Sequence, residues 1–308
     1  MTTASTTTIE RELFIAAEPA TVFSFLTEPG RITEWMGRLA VADPRPGGIL
    51  RVDYNGFDIM RGQFLELVPV SRVVWSWGWE SLSADAVPPG ASRIEFQLDA
   101  EAGGTRLRVV HSNLPVEAVE PHAQGWDHFL GRLAACSTGV PVEAEAAALS
   151  AAESLASELN MVLIQTIEAI QACPAGRWTA AAPADGRQAN VVADHIANHL
   201  ALAGLVTAVA RGESHPVADL GPETLEQLNA GHAADAASVT REAVVARIRQ
   251  DGPAAVEAIR ALDDAALRRT TPLAVAGGAI LTAAQIAEGP LLADSREHLE
   301  AFRSAATG

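Results

Sequence analysis

The chain has 308 residues and a mass of 32.2 kDa, enough for two domains that each bury a real core. Its apolar fraction of 48%, charged fraction of 19% and mean hydropathy of +0.13 exclude wholesale disorder. Its 22 basic and 38 acidic residues give a net charge of −16, so a phosphate backbone would be repelled and an ordinary nucleic-acid binder is excluded. Every basic residue is an arginine.

Residues 1–8 are polar and Thr-rich, without the basic and apolar regions of a leader. No run of about 18 apolar residues exists, so neither a span nor a membrane partner is expected. Cys136 and Cys173 are isolated, which reads as buried or semi-exposed thiols in a reducing cytoplasm. Of the 15 aromatic residues, only Trp178 and Phe302 lie after residue 140. Turn formers crowd residues 137–142. The expected organisation is a domain over residues 1–139, a linker over 140–149 and a second domain over 150–308.

The first part reads as mixed α/β. A strand is expected at 8–15 and a helix from Pro19, where Val22, Phe23, Phe25 and Leu26 recur at helical spacing. Strands are expected at 49–54, 61–68 and 73–79; on the last, the two-residue period puts Trp75, Trp77 and Trp79 on one face. Gly103-Gly104 turns two further alternating runs, and Gly47-Gly48 is likewise a hairpin pair, not a nucleotide loop. A closing helix is expected at 122–135, with Trp126, Phe129, Leu130 and Leu133 as its apolar stripe.

The runs PATVFSFLTEPGRITEWMG, GQFLELVPVSRVVWSWGWE, PPGASRIEFQLDAEAGGTRLRVVHSNLP and HAQGWDHFLGRLA resemble the SRPBCC (START-like) superfamily. More narrowly they resemble its Aha-type group, homologues of the activator of a heat-shock-protein ATPase. The resemblance covers residues 8–136. It implies an α+β helix-grip fold, a curved antiparallel sheet around a long C-terminal helix with a hydrophobic cavity between them. It implies no fixed catalytic constellation.

The second part reads as all-α, with helices expected at 153–172, 190–211, 241–262 and 282–305, the pattern of a four-helix bundle. The runs NVVADHIANHLALAG, LEQLNAGHAADAASVTREAVVARIR, AIRALDDAALRRT and LLADSREHLEAFRSA resemble the DinB-like bundles, which include mycothiol-dependent maleylpyruvate isomerases. That resemblance implies a divalent metal, zinc or nickel, held by three side chains, and in some members a low-molecular-weight thiol.

The candidate metal ligands are His195, Asp294 and His298. His195 and His199 fall on the apolar face of the second helix, and Asp294 and His298 stack one turn apart on the last. Asp294 stands where the family has histidine, and His199 is a substitute. An Asp294–His hydrogen-bond network satisfies the same residues without a metal. His232 reads as a loop histidine, and Arg268-Arg269 as a solvated helix-end pair or an anion site. The candidate ligand-cavity residues are Trp77, Trp126 and His111, with His122 and His128 as further titratable groups nearby. No Ser–His–Asp or Cys–His order and no paired-carboxylate signature exists, so no catalytic residue is assigned.

The leading expectation is a bacterial protein that binds a small apolar or aromatic molecule in the first domain, with a bundle that holds a divalent metal in some readings. The alternative is a metal-dependent thiol transferase or isomerase centred on the bundle. A chaperone-accessory interaction protein ranks third, and a homodimer is compatible with either fold.

Overall fold

Alternating apolar and polar residues drive the first half of the chain into strands, and 3.6-residue periodicity drives the second half into helices. The computed structural model describes residues 6–143, 148–181 and 186–307. Two units separate, Met1–Ala148 and Leu149–Gly308. Residues 144–147 of the expected linker lie outside the described residues.

The first unit runs β1 (Thr6–Ile15), α1 (Pro19–Thr27), α2 (Pro29–Trp35), β2 (Leu39–Ala42), β3 (Ile49–Asp53), β4 (Ile59–Val68), β5 (Arg72–Trp77), β6 (Trp79–Glu80), β7 (Ser92–Glu101), β8 (Gly104–Pro115) and α3 (Val116–Ser137). The strands form one antiparallel sheet in the order β1-β8-β7-β5-β4-β3-β2, with β6 beside β4. α1 and α2 each begin on a proline, whose missing N–H costs nothing in a first helical turn. On α3, Trp126, Leu130 and Leu133 are buried in the same core as Trp35, Phe64, Trp75 and Phe96. Burying each such large side chain is worth about 1.5–3 kcal/mol.

α3 begins six residues earlier than the expected start at 122. Pro121 sits inside the helix, where it leaves the Glu117 carbonyl without its usual N–H partner. The expected strand through Trp79 is broken at Gly78. A Cβ there would lie 1.9 Å from the Pro88 carbonyl oxygen, and just beyond it the Trp79 N–H donates to the Val87 carbonyl at 2.7 Å. Only glycine admits the 87–88 backbone this close.

The second unit runs α4 (Ala151–Ala172), α5 (Ala189–Asn198), α6 (Leu200–Arg211), α7 (Pro222–Ala236), α8 (Arg241–Arg260), α9 (Asp264–Leu267), β9 (Thr270–Leu273), β10 (Ala279–Thr282), α10 (Ala283–Ile286) and α11 (Asp294–Thr307). A capping box of Ser150 and Glu153 starts α4, and Thr240 caps α8. The unit is helical but departs from four uninterrupted helices. The second expected helix breaks at His199 into α5 and α6. The last breaks into α10, a π-helical stretch Ala287–Ala293 and α11. Pro290 lies in that stretch; its ring would clash with the carbonyl four residues back, and the wider π turn relieves the clash. α7 carries no apolar stripe, because Ala236 is its one buried residue, so sequence periodicity reads it as loop. The β9–β10 hairpin turns through Gly277 and Gly278, both with positive φ. By length and composition Ala189–Arg211 would pass for a membrane span, but 72% of its apolar window is buried in the fold.

Gly78→Ala should destabilise the first unit by about 1–3 kcal/mol, the cost of forcing a methyl into a filled space. The urea midpoint followed by tryptophan fluorescence reads this directly, since five of the six tryptophans precede residue 140.

Candidate functional site

In the first unit, the inner face of the sheet and α3 enclose a cavity of about 450 Å³. Its walls are Met36, Tyr54, Trp77, Trp79, Pro121, Gly125, Trp126 and Phe129, with Asn55, Asp58 and His122 as the polar lining. That size falls within the range of small-molecule pockets. Trp77 and Trp79 meet edge to face at 5.7 Å, Trp77 lies 5.7 Å from Trp126, and Tyr54 bridges Trp79 and Phe129 at 5.6 and 5.3 Å. Trp75 shares β5 with Trp77 but not the cavity; it packs between Phe64 and Phe96 in the core.

Strand register supports the wall from behind. Trp77 pairs with Ser92 across β5–β7, and Ile94 with His111 across β7–β8. The Trp126 indole N–H donates to His111 Nδ1 at 3.0 Å. His111 Nε2 therefore carries the proton and donates to Ser92 Oγ at 2.8 Å, and that hydroxyl donates to the Trp77 carbonyl at 3.2 Å. A second relay has the opposite tautomer: Trp79 Nε1–H donates to His122 Nε2 at 3.1 Å, and His122 Nδ1–H donates to the Ala118 carbonyl at 2.7 Å. Burial, then the neighbouring His122, pushes the His111 imidazole down to about 3. Burial also lowers His122, against its bond to Ala118. Both histidines are neutral at ordinary pH, with both ring nitrogens engaged.

The three expected cavity residues thus divide. Trp77 and Trp126 line the cavity. His111 does not; it is fully buried behind the wall and fixes Trp126. His128 is exposed and edges against Phe129. Trp79, Tyr54 and Phe129 also line the cavity, where the sequence reads them as packing residues. The two-residue period pointed to Trp79 alone.

In the second unit, a cavity of about 500 Å³ has aliphatic walls that include Leu202, Leu205, Leu220, Leu225 and Leu228. At its polar end lie His195, His199, His232 and Asp294. The ring centres of His195 and His199 are 4.6 Å apart, those of His195 and His298 4.8 Å, and those of His199 and His298 5.2 Å. Burial, then His298, pushes His195 down to about 4; burial, then His195, pushes His199 down to about 3. Burial raises the Asp294 carboxyl. His232 is on a helix rather than a loop. It reaches Asp194 Oδ2 at 3.1 Å and Asn198 Nδ2 at 2.8 Å, and Arg247 pairs with the same carboxylate.

The fold thus brings His195 and His298 together, with His199 as the third ring in place of Asp294. Asp294 turns its backbone carbonyl to His298 Nδ1 at 2.5 Å. The second resemblance implies a divalent metal here, and the arrangement does not fit one. His298 Nε2, the nitrogen a metal would need, accepts a hydrogen bond from Arg187 Nη1 at 3.0 Å. Among the described residues no group of His, Cys, Asp and Glu is placed to hold a metal ion. Arg187 carries no sequence signal, since it precedes α5 and lies far from α11 in the chain. Arg269, read as half of an anion site, donates to the Ala210 carbonyl at 2.8 Å near the end of α6. Burial raises the thiol pKa of both Cys136 and Cys173, which leaves neither activated as a nucleophile.

Because His111 binds a proton less readily folded than unfolded, its contribution to stability is complete above its ordinary value of 6.5. It is lost as pH falls from there toward about 3. The expected slope for this group reaches about 1.4 kcal/mol per pH unit. His111→Gln should be less stable at pH 7 yet lose less stability between pH 7 and 4, measured by urea unfolding of the tryptophan signal.

The family model described as "Activator of Hsp90 ATPase homolog 1-like protein" matches residues 16–138. Among solved structures the chain is similar to an AHSA1-like protein from Rhizobium etli, at 41% identity over 45% of this chain and 87% of that one, with a TM-score of 0.38. It is also similar to CalU16 from Micromonospora echinospora, at 26% identity over 44% of this chain and 76% of that one, with a TM-score of 0.36. The Aha1 dimer from Colwellia psychrerythraea is 21% identical over 42% of this chain and 95% of that one, with a TM-score of 0.37. No curated protein matches the chain. The first unit is thus an AHSA1-like (SRPBCC) domain.

Proposed function

We propose that the protein binds a flat, uncharged aromatic or apolar small molecule in the cavity of its first unit, and that its second unit is a DinB-like bundle serving as a separate module. One observation carries the binding reading. The aromatic wall is open at about 450 Å³; the ring nitrogens of Trp79, Trp126 and His122 are paired within the protein, and the Trp77 indole nitrogen is buried without an acceptor. Such a wall offers stacking area and little hydrogen bonding. The lining has no arginine, and its rim carboxylate Asp58 accepts from Asn55 Nδ2 at 2.7 Å, which disfavours an anionic ligand. His122 has both nitrogens engaged, so the reading is retention of a ligand rather than acid–base chemistry. Metal-assisted thiol chemistry in the bundle lacks comparable support, because Arg187 stands where the cation would be.

Gly125 offers a clean test. It lines the cavity on α3, and a Cβ added there would meet nothing within 4 Å. Gly125→Phe should fill the cavity while leaving the helix intact, since replacing a mid-helix glycine favours the helix. Titration calorimetry with a neutral tricyclic aromatic such as anthraquinone should give one saturable site in the wild type. Affinity should fall at least about tenfold, or about 1.4 kcal/mol, in Gly125→Phe, and chelator should change neither. Equal binding by both proteins, or no saturable binding by the wild type, overturns the proposal.

A further inference from the structure

One wall of the second unit's cavity is α7, and α7 is seated at one end. Ala236 is its one buried residue. Asn190 Nδ2 donates to the Ala236 and Ala237 carbonyls at 3.1 and 2.9 Å, and His232 reaches Asp194 at 3.1 Å. These contacts pin the C-terminal end of the helix. Its N-terminal half buries no side chain. Leu225, Leu228, Asn229 and His232 recur at helical spacing, and all four line the cavity. The helix therefore turns its leucines into an open space whose walls also hold Leu202 and Leu205 of α6. Leu228 stays 54% exposed, and Val275, in the β9–β10 turn and on the same cavity, 38%. Apolar side chains directed into a fold and left this open lack packing partners.

The polar end has one unpaired group. His195 lines the cavity, and its ring nitrogens make no hydrogen bond among the described residues. Burial holds this imidazole neutral, with its pKa at about 4. A neutral imidazole offers one donor and one acceptor nitrogen, and a hydroxyl matches either. No arginine lines the space and the Asp294 carboxylate does, so a carboxylate head is repelled. The Arg187 guanidinium, 3.0 Å from His298 Nε2, disfavours an ammonium head.

We infer that this cavity is a second ligand site, that it takes an uncharged aliphatic molecule with a hydroxyl head, and that α7 closes over the alkyl chain. The chain lies among the leucines of α6 and α7, and the hydroxyl meets His195. A volume of about 500 Å³ suits a small molecule of this kind. Binding supplies the packing that the N-terminal half of α7 lacks. The inference is independent of the aromatic cavity, since every residue it uses lies in the second unit.

The test is amide hydrogen exchange of the full-length protein, read by mass spectrometry on peptides covering 222–236 during titration with 1-octanol. A bound ligand suppresses local opening, so exchange there should slow about tenfold once free octanol is about ten times its Kd. Octanoate and octylammonium at the same concentration should slow it far less. Leu228→Trp puts a bulkier ring in the cavity without touching the core, since Leu228 is mostly exposed. Octanol should add no slowing in that variant, and far-UV circular dichroism checks that it folds. No slowing across α7 in the wild type up to the solubility limit of octanol overturns the inference. So does equal slowing in Leu228→Trp, or an equal or stronger effect of either charged homologue.

Discussion

A nitrogen buried in an apolar wall must find its hydrogen-bond partner inside the protein, and both cavities of this chain are shaped by that constraint. An unpaired polar group taken out of water costs on the order of 1–3 kcal/mol. In the first unit, the buried indole of Trp126 is paired with His111, and His111 in turn with Ser92. The half-buried Trp79 is paired with His122. Once the relays are closed, the surface they leave toward the cavity is ring and methylene. Trp75 and Trp77 are exceptions, with indole nitrogens that lack a hydrogen-bond acceptor. Both make edge-to-face ring contacts, the geometry in which an N–H can be weakly stabilised by a neighbouring π face.

The same constraint yields a different outcome in the second unit. There the clustered groups are imidazoles from α5, α7 and α11, and the carboxylates of Asp194 and Asp294 lie beside them. Their lone pairs require hydrogen-bond donors. Asp194 is neutralised by Arg247 and in turn holds His232, while Arg187 meets His298. Two arginines thus carry the electrostatics of a site with a chain-wide excess of acid. The aliphatic space beside them remains open at about 500 Å³.

Much of the first unit was legible because a half-buried strand writes its period into the sequence. The alternation at β7 and β8 and the Trp126–Leu130–Leu133 stripe of α3 are cases in which local pattern and tertiary packing agree. What was not legible came from contacts made across the chain. Gly78 breaks a strand because of Pro88, and His111 faces Trp126 rather than the ligand space because of sheet register. In the second unit, the apolar face of α5 announced His195 and His199, and the four-residue spacing announced His298. α7 buries almost nothing and so leaves no period in the sequence, and the spacing of Asp294 and His298 does not say whether the Asp294 carboxylate or its backbone meets His298. Arg187 had no pattern to betray it.

The proposed ligand site in the aromatic cavity of the first unit can be read indole by indole, since the six indole N–H groups report individually. The direct measurement is a nitrogen-15 correlation spectrum of the indole region during titration with a neutral tricyclic aromatic. Progressive shifts of the Trp79 and Trp126 indole signals are expected. Trp35, bonded to the Phe25 carbonyl, and Trp178, bonded to the Val239 carbonyl, should stay in place. Shifts confined to Trp178, or no shift in any indole at saturating probe, would contradict it.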